Sequence, residues 1–282
     1  MDIYVLIKQV PGTSNVKMDE ETGTMIRTET DNVINPLDEN ALEAAFALRA
    51  RAASGARVVA ISMGPHPAMG ALREALAMGA DAAAFLCDRA FAGSDTVATA
   101  EALAACIRHQ AGAAPGQPLP ADTLIICGER ATDGETGQVG PMVAALLGIA
   151  VASYVRSIEI SDRDPAATAD AWAEVERIVE DGFERVRLAL PALVTVVKDI
   201  NQPGFPTLAG KIAAKSADVP VLGPADVGID PAVVGLGGSP TRVVKVFRPK
   251  FSRDTVLHTY DNSGKAVGAL VEFLGERGIG LS

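Results

Sequence analysis

Aromatic side chains make up only 4% of this 282-residue chain, and a single Trp is present, so a core has to be assembled from Ala, Val, Leu and Ile. Cysteine and histidine are equally thin. Cys87, Cys106 and Cys127 form no CxxC pair, and His66, His109 and His258 lie far from them and from one another. Bound zinc is therefore not expected, and buried free thiols are. Positive charge is in deficit, with 25 Lys plus Arg against 35 Asp plus Glu and a formal net charge of -10. Such a surface repels phosphate backbones and anionic lipid, which excludes nucleic acid as the expected partner. No apolar run approaches the ~18 residues of a membrane span, and the run Ile3 to Ile7 is too short for a signal peptide. No membrane insertion is expected, and the cytoplasm is the expected compartment. Hydrolytic patterns are missing as well: there is no G-x-S-x-G elbow, no HExxH, no Walker lysine loop and no GxGxxG. Chemistry, if the chain supports any, has to come from a bound cofactor.

What is present is βαβ punctuation. Four β-rich runs, "IYVLIK" (3–8), "RVVAISM" (57–63), "AAFLC" (83–87) and "TLIIC" (123–127), alternate with segments of helical apolar spacing at 38–52, 68–79, 95–110 and 136–148. In the first of these Asp38 is a candidate N-cap, and Ala41, Leu42, Ala45 and Leu48 share a face. Continuous apolar strands between helices predict a Rossmann-like, doubly wound α/β fold whose mostly parallel sheet is covered on both sides. Two stretches depart from that pattern. The connection after the first strand is long, with Glu21-Thr22-Gly23 as a turn in an irregular hairpin, and "AWAEVERIVEDGFERVRLALPALVTVV" alternates in period two around Asp181-Gly182, which predicts a type I′ hairpin. From about Asp218 the chain is rich in Pro, Gly and Val and ends in a short helix near 263–278. The expected organisation is an α/β domain over 1–217 and an extended C-terminal arm with its helix over 218–282.

Ligands of open parallel sheets sit beyond the carboxyl ends of the strands, where strand order reverses. The loops leaving those ends are distinctive here. In "GERATDGETG" (128–137), Gly128, Gly134 and Gly137 permit positive φ, so successive amides can form an anion nest at the head of the following helix. Glu135 suits the helix dipole, Asp133 can accept from ribose hydroxyls or loop amides, and Arg130 is the available countercharge. The same glycines equally fit a plain tight βα connection. In "DRAFAGSDTVATA" (88–100), Asp95 or Ser94 can cap the next helix, while Thr96 and Thr99 could donate to a heterocycle packed on Phe91.

Six ordered blocks then carry a resemblance: "VLIKQVPGTSNVKMDEETGTMIR", "INPLDENALEAA", "ALAMGAD", "GERATDGETGQVGP", "PALVTVVKDINQPGFP" and "GSPTRVVKVFRP". Over nearly its whole length the chain resembles the beta subunit of electron transfer flavoproteins. That resemblance implies a heterodimer with an alpha subunit that carries its own FAD, and a nucleotide in the beta chain, AMP in one branch and a second FAD in the branch that bifurcates the electrons of a donor such as NADH. Asp133-Gly134-Glu135-Thr136-Gly137-Gln138-Val139-Gly140-Pro141 and the Arg-Ala-Phe-Ala-Gly loop resemble the FAD branch, with Glu129-Arg130 where it reads Arg-Gln and Thr132 in place of an apolar residue. FAD is therefore the expected ligand and AMP the alternative. The family's nucleotide contacts fall on Leu6, on Asn35, Pro36, Leu37 and Asp38, on Met63, and on Gly128 through Val139, including Arg130, Ala131, Thr132, Asp133, Gly134, Glu135, Thr136, Gly137 and Gln138. The resemblance also implies that residues 198–215 dock on a dehydrogenase and that the arm from 218 wraps the alpha subunit. No catalytic side chain is implied.

Overall fold

The structure is a computed structural model, and it describes all residues except 13–16, 19–24, 27–31, 53–54, 115, 162–170, 245–255, 260–263 and 281–282. Two compact units emerge, Met1–Val244 and Lys245–Ser282. In the first, the strands are β1 (Asp2–Leu6), β2 (Gln9–Pro11), β3 (Lys17–Met18), β4 (Met25–Ile26), β5 (Asn32–Ile34), β6 (Arg57–Met63), β7 (Ala82–Leu86), β8 (Thr123–Gly128), β9 (Ala150–Ile160), β10 (Trp172–Val179), β11 (Gly182–Ala189), β12 (Ala192–Val196) and β13 (Val221–Leu222). Its helices are α1 (Pro36–Arg51), α2 (Met69–Met78), α3 (Thr96–Gln110), α4 (Val139–Leu147), α5 (Leu208–Ser216) and the single turn α6 (Gly235–Gly238).

One nine-stranded sheet runs β11-β10-β9-β12-β8-β1-β6-β7-β13, parallel throughout except at β10, which is antiparallel to both neighbours. Two small ribbons, β2 with β5 and β3 with β4, occupy the long excursion after β1. The expected turn at Glu21-Thr22-Gly23 lies outside the described residues. From β1 the chain moves to β6 and β7 on one side, then crosses back to β8 on the other, so strand order reverses between β1 and β8.

Alternation along the strands separates two apolar layers. Ile3 and Val5 face Leu42, Ala45, Leu72 and Ala75 of α1 and α2, whereas Tyr4 and Leu6 face Ala100, Leu103, Val143 and Leu147 of α3 and α4. Each fully buried Leu or Ile stabilises the fold by roughly 1.5–3 kcal/mol, and with few aromatics this repetition has to carry the core. The Rossmann-like, mostly parallel architecture is thus the one that the apolar runs predict.

Three local expectations need correction. Helix α1 starts at Pro36, because proline at the first helical position needs no N–H partner, so Asn35 and not Asp38 occupies the N-cap position. The β10–β11 reversal sits at Glu180-Asp181, one residue early, with Val179 opposite Gly182. It is not type I′, because among the described residues only Glu135 and Tyr154 combine a side chain with positive φ. Strand β9 escaped the sequence reading, since its buried Ala152, Val155 and Ile158 recur every third residue across a register shift near Thr195 instead of alternating. Chain beyond Asp218 continues within the first unit: β13 extends the sheet beside β7, and α6 follows. In the second unit the helix α7 (Lys265–Glu276) leaves Val267, Leu270, Val271 and Phe273 exposed.

Candidate functional site

The reversal edge is held together by buried polar groups. Asn35 is fully buried, and its side-chain Nδ2 donates to the Arg130 carbonyl (2.9 Å) while Oδ1 accepts from the Thr132 amide (3.1 Å). One primary amide thereby fastens the start of α1 to the loop after β8, 95 residues on. Three residues later the buried Asp38 carboxylate accepts from the Lys8 amide (2.8 Å) and the Gly128 amide (3.0 Å), tying the ends of β1 and β8. Burial pushes the Asp38 carboxyl up to about 7, opposed by the Lys8 amide first, then by the Asn35 side chain, the Gly128 amide and the Lys8 charge. Gly128 has to be glycine for space: a Cβ would lie 2.6 Å from Asp38 Oδ1 and 2.7 Å from the Leu37 Cβ.

Beyond Gly128 the backbone closes a tight turn, in which the amides of Gly134 and Glu135 donate to the Ala131 carbonyl at 3.3 and 2.8 Å. Glu135 and Gly137 both take positive φ, 53° and 63°. Helix α4 then starts at Val139, with Gln138 at its N-cap position and no side-chain cap. Among the described residues, the amides of Thr136, Gly137 and Gln138 meet no acceptor. The amides of Arg130, Ala131 and Asp133 are likewise without an acceptor, so unspent donors stand along the loop as well as at the head of α4.

Three of the loop's four charged side chains are paired. Arg130, the expected countercharge, lies 2.7 Å from Glu129 Oε1, and Asp133 lies 2.7 Å from Lys8 Nζ. Lys8 was missed in the sequence reading, although a lysine two residues past the first strand is itself a signal. The structure brings Leu6, Asn35 to Asp38 and the whole 128–139 stretch together at this edge, with Met63 at the end of the neighbouring β6.

The 88–96 loop joins through one contact, as Thr96 Oγ1 donates to Gln138 Oε1 at 3.0 Å. Asp95 caps α3 by accepting from the Val97 and Ala98 amides, and its other oxygen accepts from the Thr241 amide and hydroxyl, which hold it below the usual carboxylate range against a desolvation effect that raises it. Ser94 accepts from the Gly235 amide, so the stretch 235–241 is seated on this loop. Phe91 is turned inward and buried in the α3–α4 layer, and Thr99 is half-buried one turn into α3. Of the thiols, Cys106 and Cys127 are buried and Cys87 half-buried; burial pushes Cys106 up to about 12.

On another edge, Asn40 of α1 clasps Asn201 in both directions: its Nδ2 donates to the Asn201 carbonyl and Oδ1 (3.0 and 2.9 Å), and its carbonyl accepts from Asn201 Nδ2 (3.0 Å). Glu43 accepts from the Gly204 amide at 3.1 Å. The root of the 198–215 stretch is thus anchored while Phe205, Leu208 and Ile212 project at 96, 77 and 62% exposure. No helix among the described residues is long and apolar enough to cross a membrane.

Comparison with known proteins matches residues 22–227 to the family described as the electron transfer flavoprotein domain. The chain is 42% identical over 268 residues to the electron transfer flavoprotein subunit beta of Megasphaera elsdenii, covering 95% of each chain. It is 43% identical over 278 residues to the subunit of the same name from Thermoanaerobacterium thermosaccharolyticum, covering 98% of this chain and 99% of that one. It is also 39% identical over 279 residues to the caffeyl-CoA reductase-Etf complex subunit CarD of Acetobacterium woodii, covering 99% and 100%.

Proposed function

The chain belongs to the electron transfer flavoprotein family as a beta subunit, and from that premise we propose that it binds FAD at the β1–β8 edge and relays electrons between a donor such as NADH, or a dehydrogenase, and the FAD of an alpha subunit. The observation that carries this reading is the convergence of Asn35, Asp38 and the 128–139 loop on one strand-reversal edge, with the amides of Thr136 to Gln138 left over. These residues fit a dinucleotide. Unpaired amides at a helix head suit its phosphates, and Gly128 lets the loop close against Asp38 and Leu37, where a side chain would displace it. A bound flavin supplies the redox chemistry, and the chain's own residues bind it, orient it and set the charge around it.

FAD is favoured over AMP by the Arg89 to Gly93 loop, which resembles the FAD branch and leads to Thr96, whose hydroxyl donates to Gln138 Oε1. The resemblance of residues 133–141 and of the Arg89 to Gly93 loop to the bifurcating branch supports electron bifurcation as the mode of use, and the cytoplasm is its proposed place. The exposed Phe205, Leu208 and Ile212, standing on a root fastened to α1, suit docking on a dehydrogenase. The second unit from Lys245, with the exposed apolar side of α7, suits wrapping of the alpha subunit.

The test is a nucleotide count on the purified alpha–beta pair. Release of about two FAD per pair supports this reading, whereas one FAD with one AMP assigns AMP to this subunit and removes bifurcation.

A further inference from the structure

Lys8 is the residue for which the nucleotide site has so far had no use. Both of its backbone groups are fixed at the reversal edge: its N–H donates to Asp38 Oδ2 (2.8 Å), and its carbonyl accepts from the Asn35 amide (2.8 Å). From that fixed root the side chain reaches Asp133, Nζ to Oδ1 2.7 Å, and is itself 49% exposed while Asp133 is 13% exposed. Arg130 is held instead by its chain neighbour Glu129 at 2.7 Å. The 128–139 stretch carries Glu129, Asp133 and Glu135 against Arg130 alone, so a phosphate arriving there meets net negative charge unless a cation comes from elsewhere in the chain.

We propose that Lys8 is the countercharge for the phosphate of the bound nucleotide, and that Asp133 competes with that phosphate for the same ammonium. This rests on the nucleotide reading of the site. A half-exposed lysine–carboxylate pair is weak and exchanges its partner easily, and the diphosphate of FAD, like the phosphate monoester of AMP, bears more charge and more acceptor oxygens than one carboxylate. Lys8 is a better candidate than Arg130 because two backbone hydrogen bonds fix its origin to the residues that form the floor of the site. Asp133 acts then as a tuning residue, lowering affinity for the anion by holding its partner.

Two probes separate a charge role from a structural one: AMP, which carries a phosphate, and adenosine, which does not. With the full-length chain freed of nucleotide and titrated calorimetrically, Lys8→Met should weaken AMP about tenfold and leave adenosine within about twofold. Lys8→Arg should restore most of the AMP affinity. Asp133→Asn should tighten AMP about threefold, an effect that added salt erodes in the wild type and the variant alike. Equal weakening of AMP and adenosine by Lys8→Met would make Lys8 a brace and overturn the proposal, as would weaker AMP binding by Asp133→Asn. If Lys8→Met does not fold, the sign of the Asp133→Asn effect decides. A wild-type chain that binds neither probe nor FAD overturns the nucleotide reading and this inference together; one that binds AMP or FAD with Lys8→Met unaffected overturns this inference alone.

Discussion

Two regions of the sheet use polar residues in opposite ways. At the β1–β8 edge, Asn35 and Asp38 are buried, and each satisfies two groups of the main chain or its loops. On the β9–β11 extension, Glu174, Glu176 and Arg177 face Arg187, Arg185 and Glu184 in register at 3.5, 3.3 and 3.6 Å, in pairs that are partly or largely exposed. Arg187 also lies over the Trp172 ring at 3.9 Å and Arg156 over Phe183 at 4.3 Å. Exposed pairs are each worth little, roughly 0–1 kcal/mol, whereas a buried group deprived of its partner costs about 1–3 kcal/mol per group. The extension therefore gains solubility and register from its charges, and the edge gains a fixed geometry from far fewer groups.

The largest effect is expected at Asn35. Replacing it by Leu leaves the Thr132 amide and the Arg130 carbonyl without partners, and should lower stability by about 2–4 kcal/mol in a urea titration and uncouple the loop from α1. Next comes Gly128→Ala, whose added methyl meets Asp38 and Leu37 and should cost about 1–3 kcal/mol, with a loss of nucleotide affinity measured alongside.

The Asp38 carboxyl gives the comparison a pH axis. Its folded-state pKa, about 7, stands above its unfolded value near 4, so between those limits the folded chain holds a proton that the unfolded chain has lost. Stability should therefore fall as pH rises from about 4 to about 7 and change little through this group above that. Asp38→Asn should flatten that slope, as read from denaturant midpoints at several pH values. The smallest effect belongs to the extension: Glu176→Gln removes a partner of Arg185 and Arg156, and should shift stability by no more than about 0.5 kcal/mol, vanishing in high salt.

This contrast also explains what a reader of the sequence can see. Strands β1, β6, β7 and β8 and helices α2 and α3 lie within about two residues of the apolar runs that announce them, because burial on both sheet faces forces a simple pattern. Gly137 marks the site for a similar reason, since its positive φ is a local backbone demand, whereas Gly128 is required by Asp38 and Leu37 far away in sequence. What stayed hidden depends on partners far away in sequence. The Lys8–Asp133 pair spans 125 residues, the Asn40–Asn201 clasp 161 and the Asp95–Thr241 contact 146, and no local spacing encodes them. Arg130 illustrates the converse: it was legible as the one cation of its loop, but its nearest carboxylate is its own neighbour. Strand β9 was hidden because its bulge breaks the alternation that identifies strands.

The most direct measurement is amide hydrogen exchange on the full-length chain with and without FAD. Slower exchange is expected around 6–8, 35–38 and 128–140, with no change along 172–189. Protection confined to the β10–β11 hairpin, or none anywhere on saturation with the nucleotide, would contradict a ligand held at the β1–β8 edge.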